Sequence, residues 1–310
     1  MDFLLFAAAV AVLIYGAEVV IRESERIALH FNISSFVIGA SLIAIGTSLP
    51  ELAASVQASY VGKSEIAASN VLGSVILNIA LVLGVVFLLS KELKPSRDLF
   101  NLDSAWIFIP VGLFILMIFD GTIGRLEGGI FLLLMAAYLI FLAQDSESLE
   151  GEVDEALKSA AFNWLKTLAW LAVGFVLVVK GADLTVESAA NIARTFGVSE
   201  WVIGLLLLAF GTSLPELVVS IKAALKGNAE MSIGNIIGSN VANFSMVLGS
   251  AALVNPITLN LQNSLFDIVA VCIISFVFIF VLANRLYNRA TGVIFLSLAV
   301  LVINNALSTL

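Results

Sequence analysis

Gly46-Thr47-Ser48-Leu49-Pro50-Glu51 recurs as Gly211-Thr212-Ser213-Leu214-Pro215-Glu216, and each copy sits in the middle of an apolar run long enough to cross a bilayer. A carboxylate at that depth costs about 2.5–3.5 kcal/mol or more. A proline there removes a backbone donor and interrupts the helical ladder. Pro50 thus deprives the Gly46 carbonyl of its usual partner, and Pro215 does the same to Gly211. Irregular backbone is tolerated at membrane depth only where it is buried in protein or lines a cavity. Freed carbonyls, two hydroxyls and a carboxylate in one short string form an all-oxygen set, which suits hard cations such as Na⁺ and Ca²⁺. Each string therefore reads as half of an intramembrane cation site.

Composition agrees with this reading. Hydrophobic residues make up 60% of the 310 and charged residues 12%, with a mean hydropathy of +1.08. A soluble domain carries about 25% charged residues, so the chain is expected to be an all-α polytopic membrane protein in contact with the lipid bilayer. The net charge of −8 is concentrated rather than spread. Asp145, Glu147, Glu150, Glu152, Asp154 and Glu155 fall in one polar stretch, read as a solvated linker. Cys272 and His30 are each the sole residue of their type, which excludes a cysteine or histidine metal cluster. No Gly-rich phosphate loop occurs, so ion movement would draw on a gradient rather than on ATP. The N-terminus lacks the basic start and cleavage site of a signal peptide, and residues 2–21 are expected to be a retained span. No cofactor and no nucleic-acid partner is expected.

Apolar runs near 20 residues mark spanning helices. They fall at about 2–21, 35–60, 65–89, 100–119, 123–143, 161–181, 200–224, 230–254, 264–283 and 288–307. These ten spans divide into a first five-helix repeat (1–143), an acidic linker (144–160) and a second five-helix repeat (161–310). The halves are related by a constant offset, since 216 − 51 = 165. The same offset relates Gly39 to Gly204, Asn70 to Asn235, Gly73 to Gly238, Ser74 to Ser239 and Asn78 to Asn243. Internal repeats are a signature of transporters. Five is odd, so the second repeat must enter the membrane from the opposite side: the repeats are inverted. Of the 15 Lys and Arg, 11 fall after odd-numbered spans (Arg22, Arg26, Lys91, Lys94, Arg97, Lys158, Lys166, Lys222, Lys226, Arg285, Arg289). Positive residues stay inside, which puts both termini outside and the acidic linker in the cytoplasm.

A second motif follows each string. The third span carries Ser69-Asn70-Val71-Leu72-Gly73-Ser74-Val75-Ile76-Leu77-Asn78, and the eighth carries Gly234-Asn235-Ile236-Ile237-Gly238-Ser239-Asn240-Val241-Ala242-Asn243. Ser74 and Asn78 share one helix face, as do Ser239 and Asn243. The matched offset favours a ligand role for these four. Gly73, Gly238, Asn70 and Asn235 are read instead as residues for close helix packing and cross-helix hydrogen bonds. Glu18 and Asp183 also match at 165; near span ends, they read as interfacial rather than ion-binding.

The paired GTSLPE strings, each followed by a (G/S)-N-x-x-G-S segment ending in Asn, resemble the α-repeats of the calcium/cation antiporter superfamily, and most of all prokaryotic sodium/calcium exchangers. The resemblance covers nearly the whole chain. It implies a midplane site between the second, third, seventh and eighth spans, with Glu51 and Glu216 binding Ca²⁺ and sharing Na⁺ sites. It also implies roles for Thr47, Ser48, Thr212 and Ser213, for the carbonyls of Ala44 and Ala209, and for Ser74, Asn78, Ser239 and Asn243. Two positions depart from the pattern: Val75 where Asn is usual, and Ser69 where Gly is usual, both in the first repeat only.

The expected function is secondary active antiport of Ca²⁺ against Na⁺ across the cytoplasmic membrane by alternating access, carried out by a monomer. The resemblance favours three Na⁺ per Ca²⁺ and a gating role for the first and sixth spans. A proton/calcium antiporter is the same-class alternative. A channel would call for a multi-ion filter ring. A hydrolase would need a His or Lys beside the hydroxyls, and none lies in either string; the chain is not read as an enzyme.

Overall fold

The computed structural model describes residues 2–90, 93, 95–144, 162–196 and 211–308, and over these it is almost wholly helical. In chain order the helices are α1 (Asp2–Phe31), α2 (Ser35–Thr47), α3 (Leu49–Tyr60), α4 (Ser64–Leu89), α5 (Leu99–Met117), α6 (Arg125–Ala143), α7 (Trp164–Thr195), α8 (Leu214–Leu225), α9 (Ala229–Val254), α10 (Leu261–Ala283) and α11 (Arg289–Ser308). Eight are long and apolar enough to cross a membrane, or nine when the bent pair α2–α3 counts as one span. The expected seventh span, 200–224, lies partly outside the described residues. So does nearly all of the 144–160 linker. Among the described residues the one strand pairing is a two-residue antiparallel ladder, β1 (Thr122–Ile123) with β2 (Ile257–Thr258), which ties the end of α5 to the end of α9.

α4 and α9 form the centre. They are the most buried of the long helices, although rich in Ser, Asn and Gly. Small residues explain this, because they let backbones approach where lipid offers no hydrophobic drive between helices. A Cβ on Gly238 would run into the Ala40 backbone of α2, one on Gly234 into Phe36, and one on Gly39 into Met231. One apolar core joins α2, α4, α5, α6, α9, α10 and α11. A second gathers α1, α7 and α8. α1 and α7 cross at a glycine seam: Gly16 lies against Leu177 and Val178, Gly181 against Leu13, and Gly174 against Val19 and Val20.

Two expectations need correction. The first and sixth spans do not stop at 21 and 181 but run on as helix to Phe31 and Thr195. Past the apolar run their polar residues find buried places, as Glu23 and Ser24 do in α1 and Thr185 and Ser188 in α7. The buried Glu23 carboxylate is met by Arg22 at 3.0 Å and Arg26 at 3.3 Å. At 30 and 32 residues these helices are about 45–48 Å long, well beyond the hydrocarbon core. Arg22, Arg26, Lys166 and Lys222 therefore stand on helices, not in loops. Likewise Glu18 and Asp183 stand within α1 and α7 rather than near their ends. Glu18 is half-buried and Asp183 exposed, and both pair with lysine: Glu18 with Lys222 at 3.5 Å, Asp183 with Lys180 at 3.3 Å.

Gly238→Ala should destabilise the protein by about 1–3 kcal/mol, because the added methyl overpacks a backbone contact. Gly129→Ala, where a methyl meets nothing within 4 Å, should be neutral or gain about 0.5–1 kcal/mol as a helical glycine replaced. Thermal unfolding of the two variants in detergent checks both signs.

Candidate functional site

The string does not put proline inside a continuous helix. Ser48 leaves helical geometry at φ −83°, ψ 6°, and Ser213 stands in a turn at φ −85°, ψ 0°. A new helix then starts at Leu49 and at Leu214, with the proline in its first turn. Proline is tolerated there because a first-turn N–H has no helical partner anyway. The axis bends by 43° between α2 and α3. Glu51 and Glu216 consequently occupy the first turns of α3 and α8. The positive end of each helix dipole partly offsets a carboxylate there. Both side chains are fully buried.

α4 and α9 supply the opposite wall. Each contains one stretch of π-helix, Asn78–Leu83 and Asn243–Leu248, opening on the asparagine of the second motif. Such bulges recur at functional sites. Behind each wall stands a matched polar brace: the Asn70 amide donates to Ser55 Oγ at 2.9 Å, and the Asn235 amide to Ser220 Oγ at 2.9 Å.

The expected residues meet across the halves. Thr47 Oγ1 lies 3.4 Å from Asn235 Oδ1 and 3.5 Å from Ser239 Oγ. Ser48 Oγ donates to Glu216 Oε1 at 3.3 Å, and the Thr47 hydroxyl also faces that carboxylate. The two carboxylates lie close enough to repel each other. The Asn243 amide donates to the Ser239 carbonyl at 2.9 Å, whereas the Asn78 amide donates across the halves to Asn240 Oδ1 at 3.2 Å. Both Glu51 oxygens, Glu216 Oε2, Asn78 Oδ1 and Asn243 Oδ1 are buried without a hydrogen-bond donor in ordinary geometry; the Thr212 hydroxyl faces Glu51 without reaching it. Ser74 and Ser213 are buried and make no side-chain hydrogen bond to the set among the described residues. The Ala44 carbonyl accepts from Ser48 N at 3.1 Å and Thr47 Oγ1 at 3.3 Å. Ala209 lies outside the described residues. No cluster of three or more His, Cys, Asp or Glu occurs among the described residues; the set is built instead from two carboxylates, amides and hydroxyls.

Asn240 escaped the sequence reading as a member of this set. Its signal was the mismatch with Val75, which marked a departure from the pattern but not its consequence. Arg97 and Asp103 also escaped it. They form a buried bidentate pair at 2.7 and 3.1 Å, with the guanidinium 4.3 Å from the Phe36 ring centre.

The model of the sodium/calcium exchanger protein family matches residues 1–144 and 166–306. The chain belongs to the sodium/calcium exchanger family. A membrane protein of Methanocaldococcus jannaschii without an assigned role is 35% identical over 299 residues, covering 96% of this chain and 95% of its own. The sodium/calcium exchanger MaX1 of Methanosarcina acetivorans is 31% identical, covering 90% and 91%. Among solved structures, the sodium-calcium exchanger NCX_Mj soaked with Na⁺ and Sr²⁺ superposes with a TM-score of 0.80 at 33% identity, covering 98% of this chain and 97% of that one. The family is one of exchangers, and so of transporters rather than enzymes.

Asn235 braces both Ser220 and Thr47, so Asn235→Ala should cost about 1–3 kcal/mol through the buried groups it strands. The half-buried Asn70 should cost less when truncated to Ala. Equilibrium melting of the two variants, each compared with wild type, checks the order.

Proposed function

We propose that this exchanger moves Ca²⁺ against Na⁺ across the cytoplasmic membrane by alternating access at a single site. Its ligands are Glu51, Glu216, Asn78, Asn243, Thr47, Ser48, Thr212, Ser213, Ser74 and Ser239, with the carbonyls of Ala44 and Ala209 completing the set. The Ala44 carbonyl joins only as its helical hydrogen bonds give way. One observation carries the reading. Two mutually repelling carboxylates are buried together, have no Lys or Arg partner among the described residues, and are flanked by amide oxygens that no donor satisfies. Uncompensated buried charge of this kind is very costly. A mobile cation relieves it, and a divalent one relieves both carboxylates at once. Because Na⁺ would use the same oxygens, the two ions exclude each other, which is what coupling requires.

The same reading holds that ten spans form two inverted five-helix repeats, 1–143 and 161–310, joined by a cytoplasmic linker at 144–160, with both termini outside and the monomer as the working unit. The 165-residue offset between the helix starts at Leu49 and Leu214, between the two π-turns and between the two Asn–Ser braces supports the repeat. The similarity to proteins named as sodium/calcium exchangers supports Na⁺ as the counter-ion. The proton/calcium alternative rests on the same pair of carboxylates and separates from this reading in transport assays.

Glu51→Gln and Glu216→Gln should each abolish Na⁺-dependent ⁴⁵Ca²⁺ uptake into proteoliposomes while the protein still folds and inserts. Wild-type rates in either variant would refute the site. Charge predicts a second outcome. One Ca²⁺ brings two ionised carboxylates to 2 − 2 = 0, whereas three Na⁺ bring them to 3 − 2 = +1. Exchange should therefore respond to a valinomycin-clamped potential, at ~2.3 kcal/mol per 100 mV for each net charge moved. Voltage-indifferent exchange would favour two Na⁺ per Ca²⁺, and uptake driven by a pH gradient without Na⁺ would favour protons.

A further inference from the structure

The two GTSLPE strings are alike in sequence but not in what lies against them. A Cβ on Gly46 would fall inside the edge of the Phe175 ring, against Cδ1, Cε1 and Cζ. Phe175 reaches there from α7 and packs with the apolar cluster that holds Ile43, Leu171 and Val178. On the matched Gly211 the nearest described atom is a Val186 methyl at 3.9 Å. Val10, which holds the place of Phe175 in α1 (175 − 165 = 10), does not take that role. Beside Gly211 there is instead a cavity of about 480 Å³, lined by Pro50, Gly211 and Thr212 and by Asp183, Glu187 and Asn191 of α7.

The ring lies near the middle of α7 and the cavity lines its C-terminal part. Phe175 and Asp183 are eight residues apart, about 12 Å along α7, and the cavity extends from there toward the C-terminal end. A polar cavity approaches the second string from that end. An aromatic ring lies flush on the first string. Gly46 has to be glycine for the ring to seat, and the next residue, the fully buried Thr47, belongs to the ion site.

We propose that Phe175 is a positioning residue that seals the cation site on one side of the membrane. With its ring on Gly46, cations reach Glu51 and Glu216 only from the side of the cavity, and the opposite path opens when α7 carries the ring off the glycine. The proposal rests on the antiport reading above. In the orientation given there, the ring faces the cytoplasm and the cavity faces outside. An exchanger open to both sides at once would leak its ions. The ring is thus a device for coupling, not for binding.

The test uses purified full-length protein in proteoliposomes loaded with ⁴⁵Ca²⁺. Phe175→Ala, and the milder Phe175→Leu should the alanine variant fold poorly, is expected to release Ca²⁺ with no Na⁺ on the other side, a flux that wild type does not show. It should still bind ⁴⁵Ca²⁺ at equilibrium, a readout that merely impaired folding would lower. Gly46→Ala should slow exchange by about tenfold or more through overpacking against the ring. Adding Phe175→Ala to Gly46→Ala should restore the flux to the level of Phe175→Ala alone. A Phe175 variant that folds and stays tightly coupled overturns the proposal, as does a double variant no faster than Gly46→Ala. Glu51→Gln separates the two readings. Placed on Phe175→Ala it should remove the leak, and a leak that persists runs outside the site and overturns the seal. Full exchange in Glu51→Gln alone overturns the site on which the antiport reading rests.

Discussion

Two carboxylates, Glu51 and Glu216, are fully buried in an apolar molecule, near enough to feel each other's charge. Each alone is costly at that depth, and together they repel. Buried ion pairs elsewhere in the chain are met by fixed cations: Asp103 by Arg97, and Glu23 by Arg22 and Arg26. At the centre no such partner is built in among the described residues. Everything around the two glutamates reads as a means of making that tolerable without neutralising them permanently, which is what a site for a mobile cation demands.

The means are local. A helix that breaks at Ser48 and restarts at Leu49 places Glu51 in a first turn, and the helix that starts at Leu214 does the same for Glu216. Proline fixes where each helix restarts. The π-turns at Asn78 and Asn243 bring an amide into the facing wall. The two amides are held differently. Asn243 ties its NH₂ group to its own helix and Asn78 to Asn240 of the other half, yet both leave the carbonyl oxygen free. Small residues on α9 allow α2 to come close enough for Thr47 to meet Asn235 and Ser239. Removing any of these features would leave the carboxylates in place and the oxygens around them dispersed.

Much of this was legible in the chain. Glutamate and proline together inside an apolar run exclude an ordinary span, and a gapless 165-residue offset announces a repeat. Spacing of four residues placed Ser74 with Asn78 and Ser239 with Asn243. What escaped depends on tertiary neighbours that spacing does not encode. The lengths of α1 and α7 were hidden because their polar ends look like loops until Glu23 and Ser188 are seen to be buried. Asn240 looked like a packing variant opposite Val75 until Asn78 was found donating to it. Gly46 and Gly211 open identical six-residue strings, and the string does not encode that Phe175 packs on one and not on the other. The pairing of Arg97 with Asp103 could have been suspected from their six-residue separation but not its complete burial.

The central claim is that one set of oxygens serves both ions in turn. Equilibrium ⁴⁵Ca²⁺ binding to the purified protein, titrated with Na⁺ at constant ionic strength, tests it most directly. The account predicts that Na⁺ displaces all the bound Ca²⁺, that an equal concentration of choline displaces none, and that raising Ca²⁺ shifts the Na⁺ midpoint upward as competition requires. Ca²⁺ binding that Na⁺ leaves untouched, or lowers only to a plateau independent of Ca²⁺, would mean separate sites and would contradict it.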